Sequence, residues 1–191
     1  NASEKSWFEV RDSTDPVIHW TNATPQSAVY GRNITLNANV TDNVAVDEVF
    51  VSFDGNNVSM FPLGGGLYSY ELNTSTDTSG AGFYNFTVYA NDTLNNWALK
   101  SVNNFTVTQK TSDLRLYLNG TEDNLSTGQG GLVNVTADLL VPATTDAVYL
   151  YIDGVPLDNG SNPLTNISAY GVSGTYNITA VFNGNTTYTA D

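Results

Sequence analysis

Short runs in which apolar and polar side chains alternate fill this chain, and no segment shows a sustained apolar repeat of 3.6 residues. Residues 33–40, NITLNANV, carry an apolar side chain at every second position, which places those side chains on one face of a strand. Gly, Asn, Asp and Pro separate the runs, as they do between the strands of a sandwich. The sequence predicts an all-β fold with strands near residues 17–20, 33–40, 48–53, 68–72, 84–90, 104–108, 114–118, 132–139, 147–152, 164–167 and 176–182.

The two halves of the chain resemble divergent copies of one unit. NITLNANV at residue 33 corresponds to NVTADLLV at residue 134, and GFYNFT at residue 82 corresponds to GTYNIT at residue 174. An Asp-Gly pair, typical of a hairpin turn, follows a strand in each half, at residues 54–55 and 153–154. A repeat of this size indicates tandem domains. We expect two immunoglobulin-like sandwiches, residues 13–109 and 110–191, joined near residues 109–113.

The first twelve residues look like the last strand of such a sandwich. Trp7, Phe8, Glu9 and Val10 align with residues 104–107, and FNGNTTYTAD at residues 182–191 stops where one more strand is due. We therefore expect the second domain to lack its last strand and residues 1–12 to complete a neighbouring copy, giving a polymer. Residues 6–10, the donor segment, would insert Phe8 and Val10 and leave Trp7 and Glu9 on the other side. Covalent repeats within one longer chain are the alternative.

Charge and cysteine content exclude several classes of function. The chain has 19 acidic and 6 basic residues, a net charge of −13, and no cysteine. Such acidity argues against nucleic acid or an anionic membrane surface as a partner. The absence of cysteine excludes a disulfide framework and thiolate-bound zinc. No apolar run approaches the roughly 20 residues of a membrane span, and no signal peptide is present, so we expect a mature or excised segment without membrane insertion.

Acceptor triplets for N-glycosylation are in large excess. With 24 Asn and 39 Ser or Thr among 191 residues, random placement gives about 5 Asn-x-Ser/Thr triplets, yet the chain has 16. Part of this excess reflects Asn and Thr alternating on exposed strand faces, but the remainder indicates a dense glycan coat outside the cell. Asn22 is the expected exception because Pro25 follows its triplet. The predicted glycosylation sites are Asn1, Asn33, Asn39, Asn57, Asn73, Asn85, Asn91, Asn104, Asn119, Asn124, Asn134, Asn159, Asn166, Asn177 and Asn185.

Two segments resemble known surface-protein repeats. GTYNITAVFNGNTTYTAD is similar to the closing part of bacterial and archaeal Ig-like repeats. NITLNANVTDNVAVDEVFVSFDG, followed by FYNFTVYANDTLNNWA, resembles the Ig-like repeats of archaeal surface and S-layer glycoproteins. The resemblance implies the fold and an extracellular location, but such modules serve as stalks, lattices, adhesins and filaments alike.

Residues that could carry chemistry are few. His19 is the single histidine and stands beside Trp20 without a nucleophile motif, so we expect no catalytic residue and no enzyme. Calcium is the one ion we consider, with candidate ligands Asp12, Asp15 and Asp113 at the predicted linkers. Asp42, Asp47 and Asp92 lie in loops that could converge at one end of the first sandwich. No calcium-loop motif supplies the six to eight oxygen ligands, so solvated carboxylates are the preferred interpretation.

A structural role is the function that these patterns favour. We expect a glycosylated subunit or repeat of an extracellular archaeal filament or surface layer, assembled head to tail from identical subunits by strand complementation. An adhesin or ligand-binding stalk is the first alternative, with Trp7, Trp20 and Trp97 as its sugar platform. We expect these tryptophans instead to pack at domain junctions and, for Trp97, over a loop. An accessory domain of a larger enzyme is the second alternative.

Overall fold

The computed structural model describes residues 5–191, and of residues 100–102 it describes the backbone alone. This range contains β-strands and loops, and no helix in it is long and apolar enough to cross a membrane. The chain divides into two compact units, the first up to Thr108 and the second Gln109–Asp191. The predicted all-β class is confirmed.

The first unit is a sandwich of two sheets, ordered β1-β3-β7-β6 and β2-β9-β8-β4-β5. Its strands are β1 (Val17–Thr24), β2 (Ser27–Val29), β3 (Asn33–Thr41), β4 (Val46–Phe53), β5 (Asn56–Ser59), β6 (Phe61–Gly64), β7 (Leu67–Asn73), β8 (Gly82–Asp92) and β9 (Trp97–Thr108). The alternation in β3 buries Ile34 and Leu36 against Val51 of β4 and Phe86 of β8, all in one core. The intervening Asn and Thr side chains of β3 face outward, as the pattern predicts.

The second unit is smaller and also has two sheets, ordered β10-β11-β14 and β13-β12-β15. Its strands are β10 (Asp113–Leu118), β11 (Leu132–Val141), β12 (Ala147–Ile152), β13 (Val155–Ser161), β14 (Leu164–Ala169) and β15 (Ile178–Phe182). Val135, Leu139, Leu150 and Phe182 are the buried centre of its core. One sheet supplies the first two and the other sheet the last two.

Both predicted hairpin turns are present. Asp54 and Gly55 have φ of 45° and 79°, and Asp153 and Gly154 have φ of 50° and 78°. Two consecutive positive φ angles match the twist of a two-residue hairpin, so these turns set the registers of β4 with β5 and of β12 with β13.

Four strands were not predicted, and one begins later than predicted. The four are short strands of three to seven residues at sheet edges, β2, β5, β6 and β13. The last two contain Pro and Gly, which argue against a strand when only the sequence is considered. The strand predicted at residues 176–182 begins at Ile178. Tyr176 lies before it, and its hydroxyl donates to the Val172 carbonyl at 2.8 Å.

Candidate functional site

The second unit leaves one side of β15 without a strand. β12 pairs with β15 on its other side, and Phe182 and Asp191 exchange two backbone hydrogen bonds, of 2.7 and 2.9 Å. Backbone groups alternate between the two sides of a strand, so Ile178 and Ala180 direct theirs to the side of Asp191. Among the described residues no strand pairs there. We call this side of β15 the open edge.

The corresponding position in the first unit is filled. β8 is the counterpart of β15 by the GFYNFT and GTYNIT repeat, and β8 has β4 on one side and β9 on the other. Phe105 of β9 lies opposite Tyr84 and stacks on its ring with 5.3 Å between centroids. Phe105 is fully buried. Within residues 5–191, no strand of the second unit corresponds to β9.

A hollow of about 580 Å³ lies in the second unit, and Leu118, Leu125, Tyr170 and Ile178 are among the residues that line it. These four side chains pack against the core but remain half-buried. The Tyr170 hydroxyl is buried without a hydrogen-bond partner, and this burial raises the pKa of Tyr170. A buried hydroxyl without a partner is destabilising. The hollow thus offers both apolar surface and a polar group to an incoming segment.

The donor segment does not fill any edge of its own first unit. Residues 5–16 belong to no strand, and Trp7, Phe8 and Val10 are 84%, 87% and 84% exposed. Arg11 pairs with Glu9 at the surface, with 3.0 Å between Nη2 and Oε2. Three large apolar side chains exposed within four residues indicate a binding segment. Asn1 and the other predicted donor residues before Lys5 lie outside the described residues.

Three carboxylates meet at one end of the first unit, and we call Asp12, Asp42 and Asp92 the acidic cluster. One oxygen atom of each lies within 4.8 Å of the others. Asp92, the last residue of β8, is 1% exposed. The Oδ2 atoms of Asp12 and Asp42 are buried without hydrogen-bond partners. Carboxylate oxygens of this kind could hold Ca²⁺, and its remaining ligands would come from backbone oxygens or water.

Hydrogen bonds favour the ionised form of two members of the cluster, Asp12 and Asp92. The pKa of Asp12 is lowered, chiefly because the backbone N–H of Thr14 donates to its Oδ1 at 3.0 Å. Burial opposes ionisation of Asp92, but the Asn96 side chain and the backbone N–H groups of Asn96 and Leu94 outweigh it and lower the pKa of Asp92. Two ionised carboxylates beside a third repel one another, which favours a bound cation.

The predicted calcium ligands are only partly brought together. Asp12 joins Asp42 and Asp92, whereas Asp15 and Asp47 are exposed and lie outside the cluster. Asp113, in the second unit, forms an ion pair with Arg115, with 2.6 Å between Oδ1 and Nε. The sequence could not select the three members because they come from three segments that are far apart in the chain.

Most glycosylation triplets have an accessible Asn. Asn33, Asn57, Asn85 and Asn177 are exposed, and the other predicted sites within residues 5–191, apart from Asn91, are half-buried or exposed. Asn91 is different because it is 8% exposed and its Oδ1 accepts the backbone N–H of Glu48 at 3.1 Å. Its side chain is part of the β4–β8 ladder rather than of the surface, so we no longer expect sugar on Asn91.

An aromatic row, Phe50, Tyr89 and Trp97, lies on the outer face of the first unit, and the sequence did not predict it. Phe50 stacks on Tyr89 at 5.0 Å and meets Trp97 edge-on at 5.9 Å between ring centroids. Trp97 is the first residue of β9 rather than the cap of a loop. Trp20 lies in β1 and is not in the row. His19 lies beside it, and its Nε2 is 2.8 Å from the Thr41 hydroxyl.

Comparison with solved structures finds matches of low sequence identity over most of the chain. The fibronectin(III)-like modules of Clostridium thermocellum CbhA share 16% identity over 87% of this chain and 84% of theirs, with a TM-score of 0.39. The titin domains Z1Z2, solved with telethonin, share 16% identity over 88% and 89%, with a TM-score of 0.48. The human OSCAR ligand-binding domain shares 17% over 85% and 88%, with a TM-score of 0.31. These TM-scores lie below 0.5 and carry no argument about function.

No curated protein matches the chain. Residues 16–116, which are more than half of the chain, match the family described as Bacterial Ig domain. Ig-like domains are generally non-enzymatic structural or ligand-binding modules, and they are commonly extracellular or at the cell surface. The chain belongs to the bacterial Ig domain family.

Proposed function

We propose that this chain is a structural subunit of an extracellular, N-glycosylated archaeal filament or surface layer. Copies assemble head to tail when the donor segment of one copy pairs with the open edge of the second unit of the next. The observation that carries the proposal is that no described strand of the second unit corresponds to β9, while a segment of matching sequence is exposed at residues 6–10.

The first unit supplies the register for this pairing. Phe105 lies opposite Tyr84, and Val107 lies opposite Gly82. The same register in the second unit places Phe8 opposite Tyr176, Val10 opposite Gly174 and Ser6 opposite Ile178, where the open edge of β15 begins. Phe8 then enters the hollow and covers Tyr176 as Phe105 covers Tyr84.

Burial and hydrogen bonding favour this contact. Burying Phe8 and Val10 contributes roughly 1.5–3 kcal/mol each, and each ladder hydrogen bond adds about 1 kcal/mol. Part of this gain offsets the loss of freedom on association. The donor and the open edge are different surfaces, so each bound copy presents a new donor or edge. Such a contact builds an open fibre.

The test is polymerisation of a variant carrying Phe8→Asp and Val10→Asp. We expect sedimentation and electron microscopy to show monomers, because two carboxylates cannot enter the hollow without a large desolvation cost. The matched control carries Phe61→Asp and Leu63→Asp, which adds the same charge at two apolar side chains of β6 that are 70% and 59% exposed. The control should still form fibres. Fibres from the Phe8 and Val10 variant would overturn strand donation.

A chain that continues beyond Asp191 would complete the second unit by itself. The length of the native polypeptide separates the two arrangements. A native polypeptide of about 200 residues supports donation between copies, whereas a much longer one supports covalent repeats with the same strand order.

The glycan part of the proposal rests on the triplet excess and on the exposure of most of these Asn side chains. Intact-mass measurement of native protein should exceed the bare 20.5 kDa by several glycans. A native mass equal to the bare polypeptide would refute the glycoprotein assignment.

The proposal includes a calcium ion in the acidic cluster. Its support is the pair of buried Oδ2 atoms without partners, on Asp12 and Asp42, beside the buried carboxylate of Asp92. Asp12 lies two residues after the donor segment, and its backbone oxygen accepts the Asn96 side chain at 3.4 Å. An ion bound here would hold the chain just after the donor segment against the first unit.

A further inference from the structure

The aromatic row is partly exposed, because Phe50 and Tyr89 are half-buried and Trp97 is exposed. Trp97 is 47% exposed, and Leu99, opposite Tyr89 in the ladder, is 63% exposed. Trp97 is held in place because its Nε1 donates to Asn95 Oδ1 at 3.1 Å. A contiguous exposed apolar surface on a folded unit indicates a binding partner.

The glycosylation triplet at residues 57–59 lies on the same face of the sheet as the aromatic row. Phe50 lies opposite Tyr89 on one side and opposite Ser59 on the other. Asn57 precedes Ser59 by two residues, so it shares this face and is a diagonal neighbour of Phe50, within about 7–8 Å between backbones. Asn57 is exposed, and Ser59 is the hydroxyl residue of its triplet.

A hollow of about 220 Å³ separates the Asn57 amide from the row, and Glu48, Phe50, Asn57 and Ser59 line it. Glu48 and Ser59 are joined at 2.6 Å between Oε1 and Oγ. The hollow is smaller than the roughly 300 Å³ at which ligand pockets begin. It suits one sugar ring beside a polar pair rather than an oligosaccharide.

We propose that the first sugar of a glycan linked to Asn57 lies in this hollow and stacks on the aromatic row. This inference rests on the proposed glycosylation. In the attachment step, Nδ2 of Asn57 forms a bond to the anomeric carbon of a lipid-linked oligosaccharide. The lipid phosphate leaves with the electrons of the broken C–O bond, and the amide loses one proton.

The chemistry of the two surfaces is complementary. A pyranose ring has one face of C–H bonds, which packs on the negative face of an aromatic ring, here Phe50. Its hydroxyl groups lie at the ring edge, where the Glu48 carboxylate accepts hydrogen bonds. The sugar then covers aromatic surface that would otherwise meet water, and this couples the glycan to the stability of the first unit.

The test compares glycosylated native protein with Asn57→Gln and with Asn33→Gln as the matched control. Asn33 is also an exposed strand residue, but its neighbour across the ladder is Asn73 and its side chain contacts Glu71. Glycopeptide mass spectrometry first establishes which sites carry sugar. We expect Asn57→Gln to lower the melting temperature of the first unit by about 2–5 °C, a modest effect for a domain of this size. Asn33→Gln should change it by less than about 1 °C.

Phe50→Ala tests the stacking itself. In the Phe50→Ala background, Asn57→Gln should cause no further shift, because the two residues act through one contact. Nuclear Overhauser effects between sugar C–H protons and the Phe50 ring should be present in glycosylated protein.

Three outcomes overturn the inference while leaving the proposed function in place. These are sugar at other sites with none on Asn57, equal shifts for the two Asn variants, or additive effects of Phe50→Ala and Asn57→Gln. Protection of Trp97 that appears only on polymerisation and persists in Asn57→Gln would assign the face to a second copy. Retention of a soluble polysaccharide by glycosylated protein through Trp97 would assign it to an external sugar. Absence of sugar from every site would instead refute the proposed glycoprotein.

Discussion

The same motif is fully covered in the first unit and half-covered in the second. Tyr84 and Phe86 of GFYNFT are 9% and 1% exposed, and β9 lies across them. Tyr176 and Ile178 of GTYNIT are half-buried, although the two motifs stand at the start of equivalent strands, β8 and β15. The contrast comes from one element, the strand that follows, since the sheet on the other side is retained in both units.

This difference shows that a unit can form a buried core while one edge of its sheet stays unpaired. The second unit keeps a buried centre at Leu150 and Phe182, fully covered by its own two sheets. Its open edge adds half-buried side chains at one end only, so the unit has a folded core and an incomplete surface. A strand supplied from elsewhere finds a formed partner there, which is the condition for β-strand addition.

The largest contrast should come from removing the same side chain on the two corresponding strands. Phe105→Ala leaves a cavity beside Tyr84, Phe86 and Phe53 and should cost the first unit about 3–5 kcal/mol. The free energy of unfolding can be measured by denaturing a chain of residues 13–191 and monitoring tryptophan fluorescence. The signal reports on the first unit because Trp20 and Trp97 both lie there. Leu99→Ala, in the same strand but exposed, is the control and should cost less than about 0.5 kcal/mol.

Phe8→Ala should leave the unfolding free energy of the monomer unchanged because Phe8 is exposed there. It should instead raise the critical concentration for polymerisation by about 100-fold or more, which corresponds to roughly 2.7 kcal/mol. A loss of monomer stability in Phe8→Ala, with polymerisation unchanged, would place Phe8 in its own unit and reverse the comparison.

A peptide of residues 5–11 should act on the second unit alone. At 100 times its dissociation constant, a ligand that binds only the folded state stabilises it by about 2.7 kcal/mol. With residues 13–191 as the target, hydrogen exchange at Tyr176 and Ile178 should slow, while exchange at β8 stays unchanged. The same peptide with Phe8→Asp is the control. Equal protection of both units would mean that the peptide does not recognise the open edge.

Local patterns in the sequence predicted the strands that surround each core but not the surfaces built from several strands. Ile34 and Leu36 alternate with polar residues, and Asp54-Gly55 defines a turn, so both could be read locally. Phe50, Tyr89 and Trp97 belong to three strands, and their contact depends on ladder registers that no local pattern specifies. The acidic cluster was missed in part for the same reason, since loop closure decides that Asp92 rather than Asp15 meets Asp12.

Calcium should also distinguish the units. At ten times its dissociation constant, Ca²⁺ should stabilise the first unit by about 1.4 kcal/mol. The second unit should not respond, because Ala143 and Gly184 occupy the positions that correspond to Asp42 and Asp92. Thermal unfolding with Ca²⁺ and then with excess chelator measures the effect. Asp92→Asn should abolish the response, whereas Asp15→Asn, outside the cluster, should retain it. A response that survives Asp92→Asn would remove the cluster as the binding site.

The smallest effect concerns Tyr84 and Tyr176, the tyrosines of the two repeated motifs. The Tyr84 hydroxyl donates to the Gly80 carbonyl at 2.8 Å in a buried setting, and Tyr176 makes the equivalent bond to Val172, also at 2.8 Å, where water has access. Tyr84→Phe should cost the first unit about 1.5 kcal/mol, and Tyr176→Phe should cost the second about 0.5 kcal/mol, the two ends of the usual range for one hydrogen bond. Adding the peptide of residues 5–11 buries Tyr176 as Phe105 buries Tyr84, so the cost of Tyr176→Phe should then rise towards that of Tyr84→Phe. Denaturant unfolding of the two variants, with and without the peptide, measures both costs. A cost for Tyr176→Phe that does not change when the peptide binds would show that the incoming strand does not reach Tyr176, and the register taken from β8 and β9 would not apply to the second unit.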